Sequence, residues 1–224
     1  MFMDPVISIV VAIIVILLSM TVHESMHAFV GYSLGDTTAK AEGRLTLNPL
    51  KHIDPFMTVL LPILMIIFGG PVFGGARPVP FNPSRLRYGE WGAVMVALVG
   101  PLTNLLIAFL AFGVGVVSGV ITSGGYIDNS LPGSIIQLTI FINIGFFAFN
   151  MLPIPPLDGS RLLYALAPDG VRRIMSQIEQ YGVFVIFAIV VLLSGFISRL
   201  MLVCVESIQL QRSEERRVGK ECRS

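Results

Sequence analysis

Charge is scarce in this sequence. Only 13% of its 224 residues are Asp, Glu, Lys or Arg, and 54% are apolar, whereas a typical soluble domain is about 25% charged. So few polar residues could not cover a water-facing surface. The composition therefore excludes an ordinary soluble domain and indicates a chain that contacts lipid over much of its surface.

Basic residues and cysteines are also few. A formal net charge of +1 offers no clustered basic face for a phosphate backbone, so a nucleic-acid partner is excluded. The two cysteines, Cys204 and Cys222, are too few for a disulfide framework or a thiolate metal site. The N-terminus lacks the basic region and cleavage site of a secretory signal. Its apolar run is therefore interpreted as a permanent membrane helix.

Long apolar runs predict an all-α polytopic membrane protein, a bundle of about four to six transmembrane helices. The first helix begins at Asp4-Pro5, an N-cap followed by a proline at the first helical position. It continues to residue 34, which is ample to cross a core of about 30 Å. Further spans are predicted at residues 91–122, 134–151 and 181–198.

The segment after the first helix is predicted to be a short β-hairpin followed by a re-entrant element. Residues 39–47 alternate between apolar and polar side chains, which is typical of strands. Residues 56–68 are apolar but short for a span, and Pro62 interrupts them. If they do not cross, all basic residues from Lys40 to Arg87, with those at 161–173, lie on one side. The loop at 123–133, without Lys or Arg, then lies on the other, which places the N-terminus outside.

The sharpest chemical signal is His23-Glu24-Ser25-Met26-His27. Residues four apart lie on one face of a helix, so His23 and His27 can present two imidazoles to one metal ion. Glu24 is then placed to take a proton from water at the metal. Ionisable groups in a membrane span are costly and usually functional, so the pattern predicts a metal site and not a pair of incidental polar residues.

A third ligand must come from elsewhere in the chain. Asp158 follows the span at 134–151, and in the predicted topology that span and the first helix end on the same side of the membrane. Asp158 is thus a candidate ligand, and the alternative is that it caps a helix starting at Gly159. His52 is the rival ligand, although its loop position beside Lys51 favours a surface or interface role.

Two further motifs stand beside the histidine pair His23-Glu24-Ser25-Met26-His27. They are Gly100-Pro101-Leu102-Thr103-Asn104 and Asn150-Met151-Leu152-Pro153-Ile154-Pro155-Pro156-Leu157-Asp158-Gly159. Together the three motifs resemble the site-2 protease family of intramembrane zinc metalloproteases. They occur in the family's order, and the likeness covers about residues 6–200. The chain is similar to compact bacterial and archaeal members of the family, without a PDZ or CBS domain.

The resemblance implies one Zn²⁺ ion held by His23, His27 and Asp158, with Glu24 as the general base. It implies that Asn150 helps to hold the substrate carbonyl or the developing oxyanion. For Asn104, a packing or hydrogen-bonding role and a catalytic role both stay open. The implied activity is hydrolysis of a single-span membrane protein or signal peptide within the bilayer. The implied location is the plasma membrane of a prokaryote, with the active site near the cytoplasmic side.

Residues 1–211 are interpreted as one protease core, and residues 212–224, abruptly polar, as a disordered tail or an artificial appendage. Two other functions stay open at this point. Two histidines and an acid would also suit a membrane zinc transporter or sensor, although Glu24 has no required role there. The second is a catalytically inactive relative that binds membrane partners, although such a protein would normally have lost one or more of the ligand residues.

Overall fold

The structure is a computed structural model and describes residues 5–53, 78–122, 127, 128, 130–182, 184–186, 188 and 192. Its main α-helices, in chain order, are α1 (Pro5–Ser33), α2 (Thr38–Ala41), α3 (Gly89–Val117), α4 (Leu131–Asn150), α5 (Ser160–Leu166) and α6 (Asp169–Gln180). Single 3₁₀ turns lie at Pro49–Lys51 and Pro83–Arg85. The predicted re-entrant element at 56–68, most of the predicted span at 181–198 and the tail at 212–224 lie outside the described residues.

Three of these helices are long and apolar enough to cross a membrane: Val6–Ser33, Gly89–Val117 and Leu131–Asn150. They correspond to the first three predicted spans. Large apolar side chains are exposed along all three, among them Ile13, Phe109 and Phe141. Exposed apolar surface on this scale would be unfavourable in water, so the helices confirm that the chain is a membrane protein.

Helix α3 lies at the centre and packs against both α1 and α4. Asn104 of α3 lies opposite Asn143 of α4, whereas Gly115, farther along α3, lies opposite Ile136, earlier in α4. The two helices are therefore antiparallel. Helix α3 continues through Pro101, which lacks an amide hydrogen and so removes one rung of the helix ladder.

The predicted hairpin at residues 39–47 is wrong. Residues 38–41 form the short helix α2, and turns and bends follow it. The cause is Asp36, whose Oδ1 accepts hydrogen bonds from the Thr38 backbone N–H at 3.0 Å and from the Thr38 hydroxyl at 2.5 Å. A side chain that bonds the local backbone in this way competes with extended structure and starts a turn. Gly43, at φ +67°, then ends the turn.

Asp36 also joins the end of α1 to a distant part of the chain. Its Oδ2 accepts a hydrogen bond from the Asn82 backbone N–H at 2.6 Å. Burial would raise the pKa of Asp36, but the bonds from Thr38 and Asn82 outweigh burial and hold the pKa below its ordinary value. Beside it, Leu34 packs in a small core with Leu86 and other apolar residues. Asp36 therefore anchors the segment at 78–82 beside α1.

Helices α5 and α6 are joined by a cap that the sequence did not suggest. Arg172 Nε donates to the carbonyls of Tyr164 and Ala167 at 3.0 and 2.8 Å, and its Nη2 donates to Ala165 O at 3.0 Å. These are carbonyls at the end of α5, which a basic group commonly satisfies. An ion pair between Arg161 and Glu179 connects the same two helices.

We expect Asp36→Asn to lower the free energy of unfolding by about 2 kcal/mol, because the new amide group would oppose one of the N–H donors that the carboxylate now accepts from. Thermal unfolding in detergent measures the change. The control is Asp169→Asn, at an exposed aspartate in the first turn of α6, for which a loss below about 1 kcal/mol is expected. Equal losses in the two variants would contradict the anchoring role of Asp36.

Candidate metal centre

His23 and His27 lie one turn apart in the C-terminal half of α1, as the motif predicts. Both are buried, with exposed fractions of 2% and 7%. Their rings meet edge to face with centroids 4.7 Å apart, and their Nε2 atoms are 3.0 Å apart. The helical spacing permits the two rings to converge, and hydrogen bonds to a neighbouring helix fix their orientation.

The other nitrogen of each ring is held by α3. His27 Nδ1 lies 2.6 Å from Val96 O, and His23 Nδ1 lies 2.5 Å from Asn104 Oδ1. Both partners are oxygens without a hydrogen, so each Nδ1 carries the proton and donates it. Each Nε2 then faces Asp158 and is the nitrogen left to bind a metal ion.

Asp158 completes the cluster from the loop that follows α4. Its Oδ2 lies 3.2 Å from His23 Nε2 and 3.5 Å from His27 Nε2. Burial would raise the pKa of this carboxyl, but the contacts with His27 and His23 outweigh burial and hold the pKa below its ordinary value. The alternative role of Asp158 as a helix cap is wrong, because α5 has Gly159 at its N-cap position and no side-chain cap bond.

The loop that presents Asp158 is folded tightly on itself. The Gly159 N–H donates to Asn150 O at 2.7 Å, and the Leu157 N–H donates to Ile154 O at 2.9 Å. Gly159 also packs so closely that a Cβ there would lie 2.5 Å from the carbonyl carbon of Met151. The loop thus returns the chain to the end of α4 and holds Asp158 against α1.

The three side chains fit a metal ion. One ligand atom from each of His23, His27 and Asp158 can be chosen so that all lie within 4.8 Å of one another. The ligand atoms of a tetrahedral zinc ion, each about 2.1 Å from it, lie about 3.4 Å apart. The observed separations of 3.0, 3.2 and 3.5 Å match that spacing, and two imidazoles with a carboxylate form a suitable ligand set.

Glu24 lies beside this cluster in the wall of a cavity of about 470 Å³. It is buried, and its Oε2 accepts a hydrogen bond from the Val79 backbone N–H at 3.0 Å. Residues 78–83 form one side of the cavity, and its remaining lining includes Phe146, Phe149 and the metal-binding cluster. A carboxylate of this kind next to a metal site is positioned for proton transfer.

Asn150 also lines the cavity, as expected if it contacts substrate. Its Nδ2 donates to Phe146 O, one turn back in α4, at 3.0 Å. This bond uses one of the two amide protons and fixes the side chain at the end of the helix. Its assignment as a catalytic residue stays a prediction.

His52 is buried and lies outside the cluster, so a surface position, one of the two roles predicted for it, is wrong. Its exposed fraction is 2%, and its Nε2 donates to Thr46 O at 2.9 Å. The same carbonyl lies 2.8 Å from the Ser25 hydroxyl. His52 therefore joins the loop after α2 to the outer side of the metal-binding helix, which its position in the sequence did not reveal.

Gly100 makes the close approach of α3 to the histidines possible. A Cβ at this position would overlap His27 Nε2 and lie 2.7 Å from His23 Cε1. The sequence showed a Gly-Pro pair here but no reason for the glycine. Asn104, one turn later, is the hydrogen-bond partner of His23 Nδ1, as the hydrogen-bonding alternative for this residue expects.

Comparison with known proteins agrees with this geometry. A family model described as peptidase family M50 matches residues 119–193, which include Asn150 and Asp158. The chain is 40% identical over 183 residues to "Putative zinc metalloprotease YwhC" of Bacillus subtilis, covering 79% of this chain and 78% of YwhC. It is 31% identical over 178 residues to Rip2 of Mycolicibacterium smegmatis, which carries the same description, covering 78% of this chain and 64% of Rip2. No solved structure gives a significant match.

We expect Gly100→Ala to weaken Zn²⁺ binding by about 10- to 100-fold, the range found when the support of a metal ligand is disturbed. The added methyl group would displace both imidazoles. The control is Gly113→Ala on the same helix, where a Cβ would meet nothing within 4 Å. Competition titration with a chelator measures both affinities, and an unchanged affinity in Gly100→Ala would refute the close approach.

Proposed function

The chain belongs to peptidase family M50, and from that premise we propose that it is a zinc endopeptidase that cleaves transmembrane segments of other proteins within the bilayer. Family membership rests on the identity to YwhC over most of both chains. The cofactor that the relatives' descriptions indicate is Zn²⁺. The intramembrane substrate is our proposal, supported by helices of membrane length around the site.

In this proposal His23, His27 and Asp158 hold the zinc ion. Their neutral and anionic donor atoms have the separations that a tetrahedral ion needs. When bound, zinc makes water more acidic and polarises a carbonyl group. Three protein ligands leave a fourth position open, which is typical of catalytic sites and not of structural ones.

Glu24 acts as the general base. It takes a proton from the attacking water as the new C–O bond forms at the peptide carbonyl, and it gives that proton to the amide nitrogen as the C–N bond breaks. The Val79 N–H bond to Oε2 restrains the carboxylate while this happens. The burial of Glu24 strengthens its interactions with the reacting groups, since little water screens them.

The substrate must reach the site as an extended segment. In a helix the backbone N–H and C=O groups are hydrogen-bonded to one another, and side chains enclose them. The helix must therefore unwind locally before water can attack a peptide carbonyl. The cavity is large enough for a short extended segment, and Phe146, Phe149 and Pro78 provide apolar contacts for its side chains. Asn150, at the end of α4, is placed to bind a substrate carbonyl.

We further propose that the site opens toward the cytoplasm of a prokaryotic cell. His27 lies six residues before the end of α1, about 9 Å along the helix axis. The basic side chains of Lys40, Arg85, Arg87 and Arg161 follow or precede the spans near this end, as the positive-inside rule requires of a cytoplasmic face. Water would then reach the zinc ion without crossing the bilayer.

The observation that carries the protease over a zinc carrier is the position of Glu24. It is buried beside the three ligand residues and lines the same cavity. A binding or transport site requires only the ligands, whereas hydrolysis requires a base next to them.

We expect Glu24→Gln to retain zinc and to reduce cleavage of labelled transmembrane peptides by about 10²- to 10⁴-fold, because the amide cannot accept the proton. The measurement is single-turnover cleavage in detergent, with zinc content determined on the same samples. Glu42→Gln, at an exposed glutamate beyond α2, should cleave at the wild-type rate. Wild-type cleavage by Glu24→Gln would refute the mechanism, and zinc without cleavage in the wild type would favour a carrier.

Removal of the metal should abolish activity reversibly. Dialysis against a chelator is expected to stop cleavage, and one equivalent of Zn²⁺ per chain should restore it, because the three ligands form a single site. The matched control is Asp158→Asn, which we expect to regain little activity at one equivalent because a neutral amide is a weaker ligand. Cleavage that survives chelation would show that zinc has no part in the reaction.

A further inference from the structure

A chain of side-chain amides leads from the backbone of α4 to His23. Asn143 Nδ2 donates to Thr139 O at 2.8 Å and to Ser19 Oγ at 2.9 Å. Asn104 Nδ2 donates to Asn143 Oδ1 at 2.8 Å, and Asn104 Oδ1 lies 2.5 Å from His23 Nδ1. Asn104 and Asn143 both have an exposed fraction of 0%, so water does not substitute for either.

The direction of this chain is set at its far end. The Thr139 carbonyl can only accept, so the atom of Asn143 that faces it must be the amide nitrogen. Both protons of that nitrogen are then used, by Thr139 O and by the Ser19 hydroxyl. The Asn143 oxygen is left to face Asn104 and accepts only from its amide nitrogen.

The orientation of Asn104 follows from that of Asn143. With its nitrogen bonded to Asn143, its oxygen must face His23 Nδ1. An oxygen there requires a proton on Nδ1, so Nε2 is the nitrogen that can bind a metal ion. If Asn104 were rotated by 180°, its N–H would face Nδ1, the proton would sit on Nε2, and His23 could not bind metal in that state.

We propose that Asn143 is a positioning residue that selects the metal-binding tautomer of His23 through Asn104. The inference rests on the proposed metal centre but not on proteolysis, since it concerns metal affinity. Asn143 lies on a different helix from both histidines, and its hydrogen bonds are to Thr139, Ser19 and Asn104. Its effect is carried by the polarity of two hydrogen bonds and not by packing.

The competing account is that Asn143 only joins α1, α3 and α4, as polar side chains between membrane helices often do. The two accounts differ in which atom of residue 143 matters. Helix joining needs any hydrogen-bonding group, whereas selection of the tautomer needs an acceptor that faces Asn104. Leucine and aspartate are both close to asparagine in size, and only aspartate keeps that acceptor.

The first test asks whether the acceptor at residue 143 affects the metal site at all, and it is Zn²⁺ affinity, measured by chelator competition, in Asn143→Leu and Asn143→Asp. We expect Asn143→Leu to bind zinc about 10-fold more weakly, at the lower end of the range for indirect support of a ligand, and Asn143→Asp to stay close to wild type. Thr139→Val is the control on the same helix, because it removes a hydroxyl that bonds Ile135 O and keeps the carbonyl. Unchanged affinity in Asn143→Leu, or equal losses in both Asn143 variants, would overturn the proposal.

The second test places the same change in the Asn104→Asp background. A carboxylate offers an oxygen to His23 whichever way it is turned, so Asn143 no longer has an orientation to select. We expect Asn143→Leu to cause no loss of zinc affinity in that background, or a gain, because it removes the oxygen that faces the new carboxylate. A loss as large as in the wild-type background would show a purely structural role.

The tautomer itself can be observed. In metal-free protein with ¹⁵N-labelled histidine, solid-state NMR in lipid bilayers distinguishes a protonated Nδ1 from a protonated Nε2. We expect Nδ1 of His23 to be protonated throughout in the wild type and to be unprotonated in part of the molecules in Asn143→Leu. A single Nδ1-protonated form in both proteins would overturn the proposal. If Asn143→Leu fails to fold, judged by thermal melting, Asn143→Ala serves in its place. None of these readouts depends on peptide cleavage, so a failure here and a failure of the proposed protease function are distinguishable.

Discussion

Two hydrogen bonds between α1 and α3 hold the metal centre in the form that can bind an ion. Each runs from a histidine Nδ1 to an oxygen of α3, at Val96 or Asn104. Together they orient both rings toward Asp158 and leave Nε2 as the nitrogen of each ring that can bind the ion. Without them, two buried imidazoles one turn apart would be free to rotate and to carry their protons on either nitrogen. The close packing at Gly100 is required for the same reason, because α3 must approach the rings this closely to reach Nδ1.

The membrane setting explains why so few polar residues suffice. Away from water, an unpaired polar group costs several kcal/mol, so buried amides such as Asn104 and Asn143 must find partners and then stay in one arrangement. In a water-exposed site, water could hydrogen-bond to these amide groups in either orientation, so their orientation would not be fixed. The low charge content that indicated lipid contact is thus also the condition under which a short chain of amides can orient a metal ligand.

The opposite wall of the cavity is made by chain that belongs to no helix. Residues 78–82 are fixed by two backbone hydrogen bonds. The Val79 N–H donates to Glu24 in α1, and the Asn82 N–H donates to Asp36, just beyond the end of α1. One carboxylate of this pair is the proposed base and the other is structural. These two bonds fix the segment beside α1, and a substrate in the cavity would lie between the segment and the loop that carries Asp158.

Much of this protein followed from the sequence, because its strongest features are local. Apolar length predicted three spans that the structure contains, and the spacing of His23, Glu24 and His27 predicted a site on one helix. Asp158 was found by topology, since two spans that end on one side of the membrane bring their ends to a similar depth. The prediction of a hairpin at 39–47 was wrong because Asp36, outside that range, bonds Thr38 and starts a turn. The alternation of apolar and polar residues within 39–47 does not reveal that contact. The buried position of His52, the need for glycine at 100 and the link from Asn143 to His23 all depend on contacts between residues far apart in the chain. Such contacts exist only after the helices have packed, so only the tertiary structure decided which nitrogen of each histidine faces the metal.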